Sequence, residues 1–213
     1  MKYKSYIFDL DGTLLDSLTD LAASCNYALR INNMPERTID EVRMFVGNGV
    51  RKLMERAIPD GNRNELFQKT YTDFRDHYLI HNLDHTSPYN GIITMLKSLK
   101  DDGCNIAVVS NKFYAATQEL VNHFFGDYVS VAIGERDNIR KKPSPDTVFE
   151  ALRQLNVEKD GAVYIGDSDV DVMTAKNCGM PCISVLWGFR DKKFLIEHGA
   201  NVFVEKPSEI LLL

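Results

Sequence analysis

The residues with the most chemistry in them are two aspartates two positions apart, Asp9 and Asp11, which close the apolar run Tyr6-Ile7-Phe8 just before Gly12 and Thr13. Tyr6 to Phe8 read as a buried strand, and a carboxylate at its end loses hydration unless a cation or hydrogen bonds compensate it. While the chain stays extended, Asp9 and Asp11 project to the same side, where their mutual repulsion favours a bound cation. Gly12 permits a sharp backbone departure, and Thr13 offers a hydroxyl and an N–H near the same point. The plainer reading is a strand ending in an Asp-Gly turn.

The elements that must position these groups can be followed along the chain. After the opening strand, Ser17 is placed to cap a helix whose apolar residues Leu18, Leu21, Ala22, Cys25, Ala28 and Leu29 recur at helical spacing. Thr38 and Glu41 have the spacing of a capping box. Further helical patterns follow at Val50-Leu53-Met54-Ala57 and from about Arg63 to His81, so residues 17–83 read as a small all-helical unit. From Ser87 onward, helices alternate with short apolar runs: Ile106 to Val109 ending at Ser110-Asn111, Tyr128 to Gly134, Ala162 to Ile165 ending at Gly166-Asp167, Cys182 to Leu186, and Val202 to Val204. Alternation of this kind predicts an α/β fold with a parallel sheet covered by helices on both faces. Its core is expected to comprise residues 1–16 and 84–213, with 17–83 inserted as a helical cap. Ligands of such sheets bind at the carboxyl ends of strands, where Asp9, Ser110 and Asp167 all fall in this reading.

Four motifs in this order resemble those of the haloacid dehalogenase superfamily of phosphatases: Asp9-Leu10-Asp11-Gly12-Thr13, the strand-end Ser110, Lys142 before Pro143-Ser144-Pro145, and Gly166-Asp167-Ser168-Asp169-Val170-Asp171. The resemblance spans nearly the whole chain and implies a Rossmann-like core. It further implies Asp9 as nucleophile and Asp11 as general acid and base. Mg²⁺ would be held by a carboxylate oxygen of Asp9, the carbonyl of Asp11 and a carboxylate oxygen of Asp167, with Asp171 behind them. Ser110, Thr13 and the N–H of Asn111 would bind the phosphoryl oxygens, and Lys142 would supply positive charge. Each residue type suits phosphoryl transfer on its own terms, because an anionic nucleophile must approach an anionic ester. Taken singly, Ser110 reads as a turn residue, Lys142 as a solvated base, and Asp167 and Asp171 as a helix cap and a first-turn acid.

Phe45-Val46-Gly47-Asn48-Gly49-Val50-Arg51-Lys52-Leu53 resembles the cap motif of phosphoglycolate phosphatases within that superfamily. The glycines flanking Asn48 would let backbone N–H groups approach an anion, and Arg51 could pair with a substrate carboxylate. The expected activity is Mg²⁺-dependent hydrolysis of a small phosphomonoester, 2-phosphoglycolate first among candidates. A phosphomutase or a phosphoryl-ligand sensor on the same scaffold are the alternatives.

The 213 residues include 25 basic and 30 acidic side chains, a formal charge of -5, which excludes a broad basic face for nucleic acid. No apolar run reaches membrane-spanning length and no signal peptide is evident, so a cytoplasmic protein, monomer or homodimer, is expected. Cys25, Cys104, Cys178 and Cys182 read as buried free thiols, and His77, His81 and His85 as solvated or aromatic-packed rather than as a metal site. Trp187-Gly188-Phe189-Arg190 reads as aromatic packing, or alternatively as a wall of the active site.

Overall fold

Apolar runs too short for helices, flanked by turn residues, become strands, and the longer amphipathic stretches become the helices that cover them. The structure, a computed structural model, describes residues 2–213. In chain order it begins with β1 (Ser5–Phe8) and β2 (Leu15–Asp16). Four helices follow: α1 (Leu18–Ile31), α2 (Ile39–Phe45), α3 (Val50–Ala57) and α4 (Phe67–His81). The short β3 (Ser87–Pro88) and α5 (Ile92–Asp101) lead to β4 (Asn105–Phe113), α6 (Tyr114–Phe125) and β5 (Val131–Glu135). The last third alternates α7 (Asp146–Leu155), β6 (Ala162–Gly166), α8 (Asp169–Cys178), β7 (Cys182–Val185), α9 (Lys192–Glu197) and β8 (Phe203–Val204). Among the described residues no helix is long and apolar enough to cross a membrane.

The chain divides into two compact units, one of residues 1–16 and 88–213 and the other of residues 17–87. The first is an α/β unit whose six strands pair in the order β5-β4-β1-β6-β7-β8, parallel throughout. Parallel strands need crossovers, and α5 to α9 supply them. Ile7, Ala107, Val109, Ile133 and Tyr164 from the sheet pack with Val148, Ala151 and Leu152 of α7 and Ala175 and Cys178 of α8 in one apolar cluster. Phe8 stands level with Val108 of β4 on one side and Ile165 of β6 on the other, so three strands reach the same edge in register.

The second unit is helical. The capping box of Thr38 and Glu41 is present: the Glu41 N–H donates to Thr38 Oγ1 at 3.2 Å and the Thr38 N–H to Glu41 Oε2 at 2.7 Å. Ser17 occupies the N-cap position of α1, but its hydroxyl does not cap the helix. Asp20, in the first turn of α1, is instead the anchor. It accepts the N–H groups of His85 and Thr86 and the Thr86 hydroxyl, and it also meets the His85 ring. These bonds hold residues 85–86 to α1, which is why the unit extends to residue 87 rather than to 83. The His77 ring stacks on those of Tyr27 and His81, at 4.0 and 4.2 Å, with Nδ1 3.0 Å from Ser24 Oγ, the aromatic-packed one of the two readings expected for it.

Three element boundaries differ from those expected. The α4 helix starts at Phe67 and not near Arg63, because Gly61–Arg63 forms a 3₁₀ turn and the Asn64 side chain accepts the Leu66 N–H at 2.9 Å. The third strand of the sheet begins at Val131, since the N–H groups of Tyr128 and Val129 still bond the carbonyl of Phe125. The β4 strand runs past Ser110 to Phe113, with a register shift between Val109 and Phe113. The four cysteines are free thiols; Cys25 and Cys178 are buried, while Cys104 and Cys182 are partly exposed.

Burial alone would raise the Asp20 pKa, but the hydrogen bonds from His85 and Thr86 outweigh it and hold the carboxyl below its usual 3.8. A lowered pKa means that ionised Asp20 stabilises the fold above 3.8, a contribution lost as the pH falls through its lower folded value. Asp20→Ala is expected to reduce urea stability at neutral pH by about 2–3 kcal/mol. The difference from the native chain should shrink as the pH is taken below 3.8, measured by urea titration at a series of pH values.

Candidate active site

The register of the sheet delivers the site. With Phe8 opposite Ile165, the next residue on each strand, Asp9 and Gly166, come level, and the Asp9 N–H donates to the Ile165 carbonyl at 2.9 Å. Asp167 follows at once, and α8 begins two residues later. Ser168 and Asp171 form the capping box of α8: the Ser168 N–H reaches Asp171 Oδ2 at 3.1 Å and its hydroxyl at 2.6 Å. The cap is thus Ser168, and Asp167 is left to face the strand ends.

Asp9, Asp167 and Asp171 offer carboxylate oxygens that all lie within 4.8 Å of one another, and all three residues are buried. One ammonium sits among them. Lys142 Nζ is 2.8 Å from Asp9 Oδ1, 2.8 Å from Asp171 Oδ1 and 3.0 Å from the Tyr164 hydroxyl, which accounts for its three N–H donors. The Tyr164 hydroxyl in turn donates to Asp171 Oδ1 at 3.0 Å. The Lys142–Pro143 peptide is cis. Asn111, on β4, donates from its side-chain amide to the Lys142 carbonyl at 3.0 Å and so braces the loop that carries the lysine.

The groups around Asp167 hold it from several sides. The Thr13 hydroxyl donates to Oδ1 at 3.2 Å and the Phe189 N–H to Oδ2 at 2.7 Å, while the Trp187 indole N–H donates to the Thr13 carbonyl at 2.9 Å. The backbone comes close enough to require glycine: a Cβ on Gly12 (φ +83°) would stand 2.4 Å from Asp167 Oδ2, and one on Gly166 would stand 2.3 Å from Asp171 Cβ. The loop Trp187 to Arg190 therefore serves the site through the Phe189 N–H and the Trp187 indole N–H.

Electrostatics follow from burial. Desolvation pushes the Asp9 carboxyl well above its usual range, Asp171 pushes the same way, and the Lys142 ammonium offsets part of this. Desolvation and then Asp171 raise Asp167 to about 7, against the Phe189 N–H, Arg190 and Lys142. Burial would lower the Lys142 pKa, but Asp171 and Asp9 more than reverse that, so the lysine stays charged. Ionised, the three carboxylates exceed the single ammonium by two negative charges. A hard divalent cation with oxygen ligands matches both the donors and the excess.

Most of the candidates named from sequence lie in this unit. Asp9, Asp167, Asp171 and Lys142 form one contact network, Thr13 and Asn111 brace members of it, and Ser110 is buried on β4 beside Asn111. Arg51 belongs to the helical unit, where its guanidinium lies over the rings of Phe67 and Tyr71 at 4.9 and 5.6 Å and meets Gln68 Oε1 at 3.4 Å. Sequence reasoning missed three groups: Tyr164, the Phe189 N–H and Lys112, whose Nζ is 2.8 and 2.9 Å from the two carboxylate oxygens of Asp11. A lysine in the run Ser110-Asn111-Lys112, straight after four apolar strand residues, was the available signal for the last.

A buried carboxylate cluster at the carboxyl edge of a parallel sheet, compensated only in part by one lysine, suits phosphoryl-transfer chemistry. Residues 6–185 match the family model for haloacid dehalogenase-like hydrolases. The phosphoglycolate phosphatase of Aquifex aeolicus is 35% identical over 184 residues, covering 86% of this chain and 84% of its own, and that of Rhodobacter capsulatus is 36% identical over 189 residues with the same coverage. A crystal structure from Lactobacillus delbrueckii, provisionally assigned as a phosphoglycolate phosphatase, superposes with a TM-score of 0.93 at 36% identity, covering 99% of this chain and 97% of that one. The chain belongs to the haloacid dehalogenase-like hydrolase family, and within it the chain is a phosphatase.

Lys142→Met would leave Asp9 and Asp171 buried without their ammonium and is expected to cost about 3–5 kcal/mol of stability. Millimolar Mg²⁺ should raise the melting temperature of the native chain, measured by calorimetry, and Asp167→Asn should remove most of that increase.

Proposed function

We propose that this phosphatase hydrolyses a small organic phosphomonoester, with 2-phosphoglycolate as the leading substrate, through an aspartyl phosphate on Asp9 and with Mg²⁺ as cofactor. The single observation that carries the reading is the buried Asp9 carboxylate paired with Lys142 at 2.8 Å inside a cluster with Asp167 and Asp171. Asp9 attacks phosphorus, and Lys142 orients its carboxylate and favours the ionised form against the burial that opposes it. Asp11 gives its proton to the departing alkoxide and later takes one from the hydrolytic water. Ser110, the Asn111 N–H and the Thr13 region bind the equatorial oxygens. Asp9, the Asp11 carbonyl and Asp167 would hold Mg²⁺, which when bound neutralises charge between nucleophile and ester. Asp171, committed to Lys142, Tyr164 and Ser168, keeps the lysine in place from behind.

Support for the substrate comes from the two relatives named as phosphoglycolate phosphatases at 35 and 36% identity. In the helical unit the Arg51 guanidinium lies over two aromatic rings and is assigned the substrate carboxylate. The enzyme is read as a cytoplasmic one, acting as a monomer or homodimer.

Asp9→Asn is expected to lower hydrolysis of p-nitrophenyl phosphate at least about 1,000-fold with the fold unchanged by circular dichroism. Chelation should stop the native enzyme and Mg²⁺ restore it. Full activity in Asp9→Asn would refute the mechanism. On a panel of phosphoglycolate, sugar phosphates, nucleotides and pyrophosphate, Arg51→Met should raise the KM for 2-phosphoglycolate by about 10-fold or more while leaving the aryl ester unaffected.

A further inference from the structure

Two lysines of the α/β unit are buried, and only one of them serves Asp9. Lys112 lies on β4 with its side chain 1% exposed, and its Nζ meets both oxygens of Asp11, at 2.8 and 2.9 Å. Its backbone is held on both sides. The Lys112 N–H donates to Ser110 Oγ at 3.2 Å, and its carbonyl accepts the Thr117 hydroxyl at 3.2 Å. The register shift of β4 between Val109 and Phe113 brings this lysine to the strand ends at all.

We propose that Lys112 is a positioning residue for acid–base catalysis: a fixed ammonium that grips both carboxylate oxygens of Asp11 and aims them at the leaving oxygen. The inference rests on the phosphatase reading given above. In the first half-reaction the bond from Asp9 oxygen to phosphorus forms, the ester P–O bond breaks, and the Asp11 proton passes to the departing alkoxide. The carboxylate left behind gains charge directly opposite Lys112. In the second half-reaction Asp11 takes a proton from water, whose oxygen bonds to phosphorus as the Asp9 O–P bond breaks, and orthophosphate leaves. Lys112 keeps its proton throughout. A division of labour results, with Lys142 set on the nucleophile and Lys112 on the proton carrier.

The test compares kcat/KM for two alkyl esters, 2-phosphoglycolate and glycerol 3-phosphate, with that for p-nitrophenyl phosphate, whose leaving group departs without a proton. In Lys112→Met the alkyl esters should lose about 10-fold or more relative to the aryl ester. Lys112→Arg, which keeps the charge, should recover most of the loss and also keeps the test possible if Lys112→Met folds poorly: its alkyl-to-aryl ratio should stay within about 3-fold of native. Unchanged ratios in Lys112→Met, equal losses on both ester types, or a Lys112→Arg ratio as low as that of Lys112→Met would overturn the proposal. Failure of the parent reading looks different, since Asp9→Asn or Asp11→Asn would then turn over as fast as the native enzyme.

Discussion

Three carboxylates buried within 4.8 Å of one another, with a single ammonium between them, set the terms for the rest of the α/β unit. Such a cluster repels itself in a poorly hydrated interior, and its members cannot all ionise without added positive charge. The surrounding chain is arranged to tolerate this. Backbone N–H groups of Leu10 and Phe189 point at Asp9 and Asp167, at 2.7 Å each, and the Ser168 N–H points at Asp171. Gly12 and Gly166 remove the side chains that would keep those carboxylates apart. The excess of negative charge is one that an oxygen-ligated divalent cation would satisfy.

The sheet makes that cluster possible by register alone. Phe8, Val108 and Ile165 stand side by side, and each chain continues one or two residues further into a polar group. A slip of one residue in β1 would send Asp9 away from Asp167 and point Phe8 where the carboxylate belongs. The Tyr6 and Phe8 rings stack at 6.4 Å on one face of the sheet while Ile7 packs into the cluster on the other, so the register is fixed from both sides.

Strand alternation, the six-stranded parallel sheet and the strand-end Asp9 and Asp167 were legible in the sequence because they depend on local patterns, apolar runs that end in carboxylates, whereas Lys142 and Asp171 were picked out only by the order of four motifs that resemble a family's. What was not legible depends on contacts made at a distance. Tyr164 looked like one more apolar strand residue, and only the fold brings its hydroxyl to Lys142. Phe189 contributes through its main chain, which no side-chain pattern reveals. The continuation of β4 past Ser110 reflects pairing of Phe113 with Glu135, a tertiary effect. The helical unit ends four residues later than its periodicity suggested, because Asp20 captures His85 and Thr86.

The placement of β1 in the middle of the sheet has a consequence for how the protein comes into being. The strand that leads into Asp9 is made before the other five of its sheet, yet both of its neighbours, β4 and β6, lie about a hundred or more residues further along the chain. During synthesis it must wait, without partners, while the helical unit of residues 17–87, rich in local contacts, has everything it needs to fold. Only when β6 and the segment through Phe189 have left the ribosome can the carboxylates be brought together. Assembly of the carboxylate cluster is therefore deferred until the strands that flank β1 have been made.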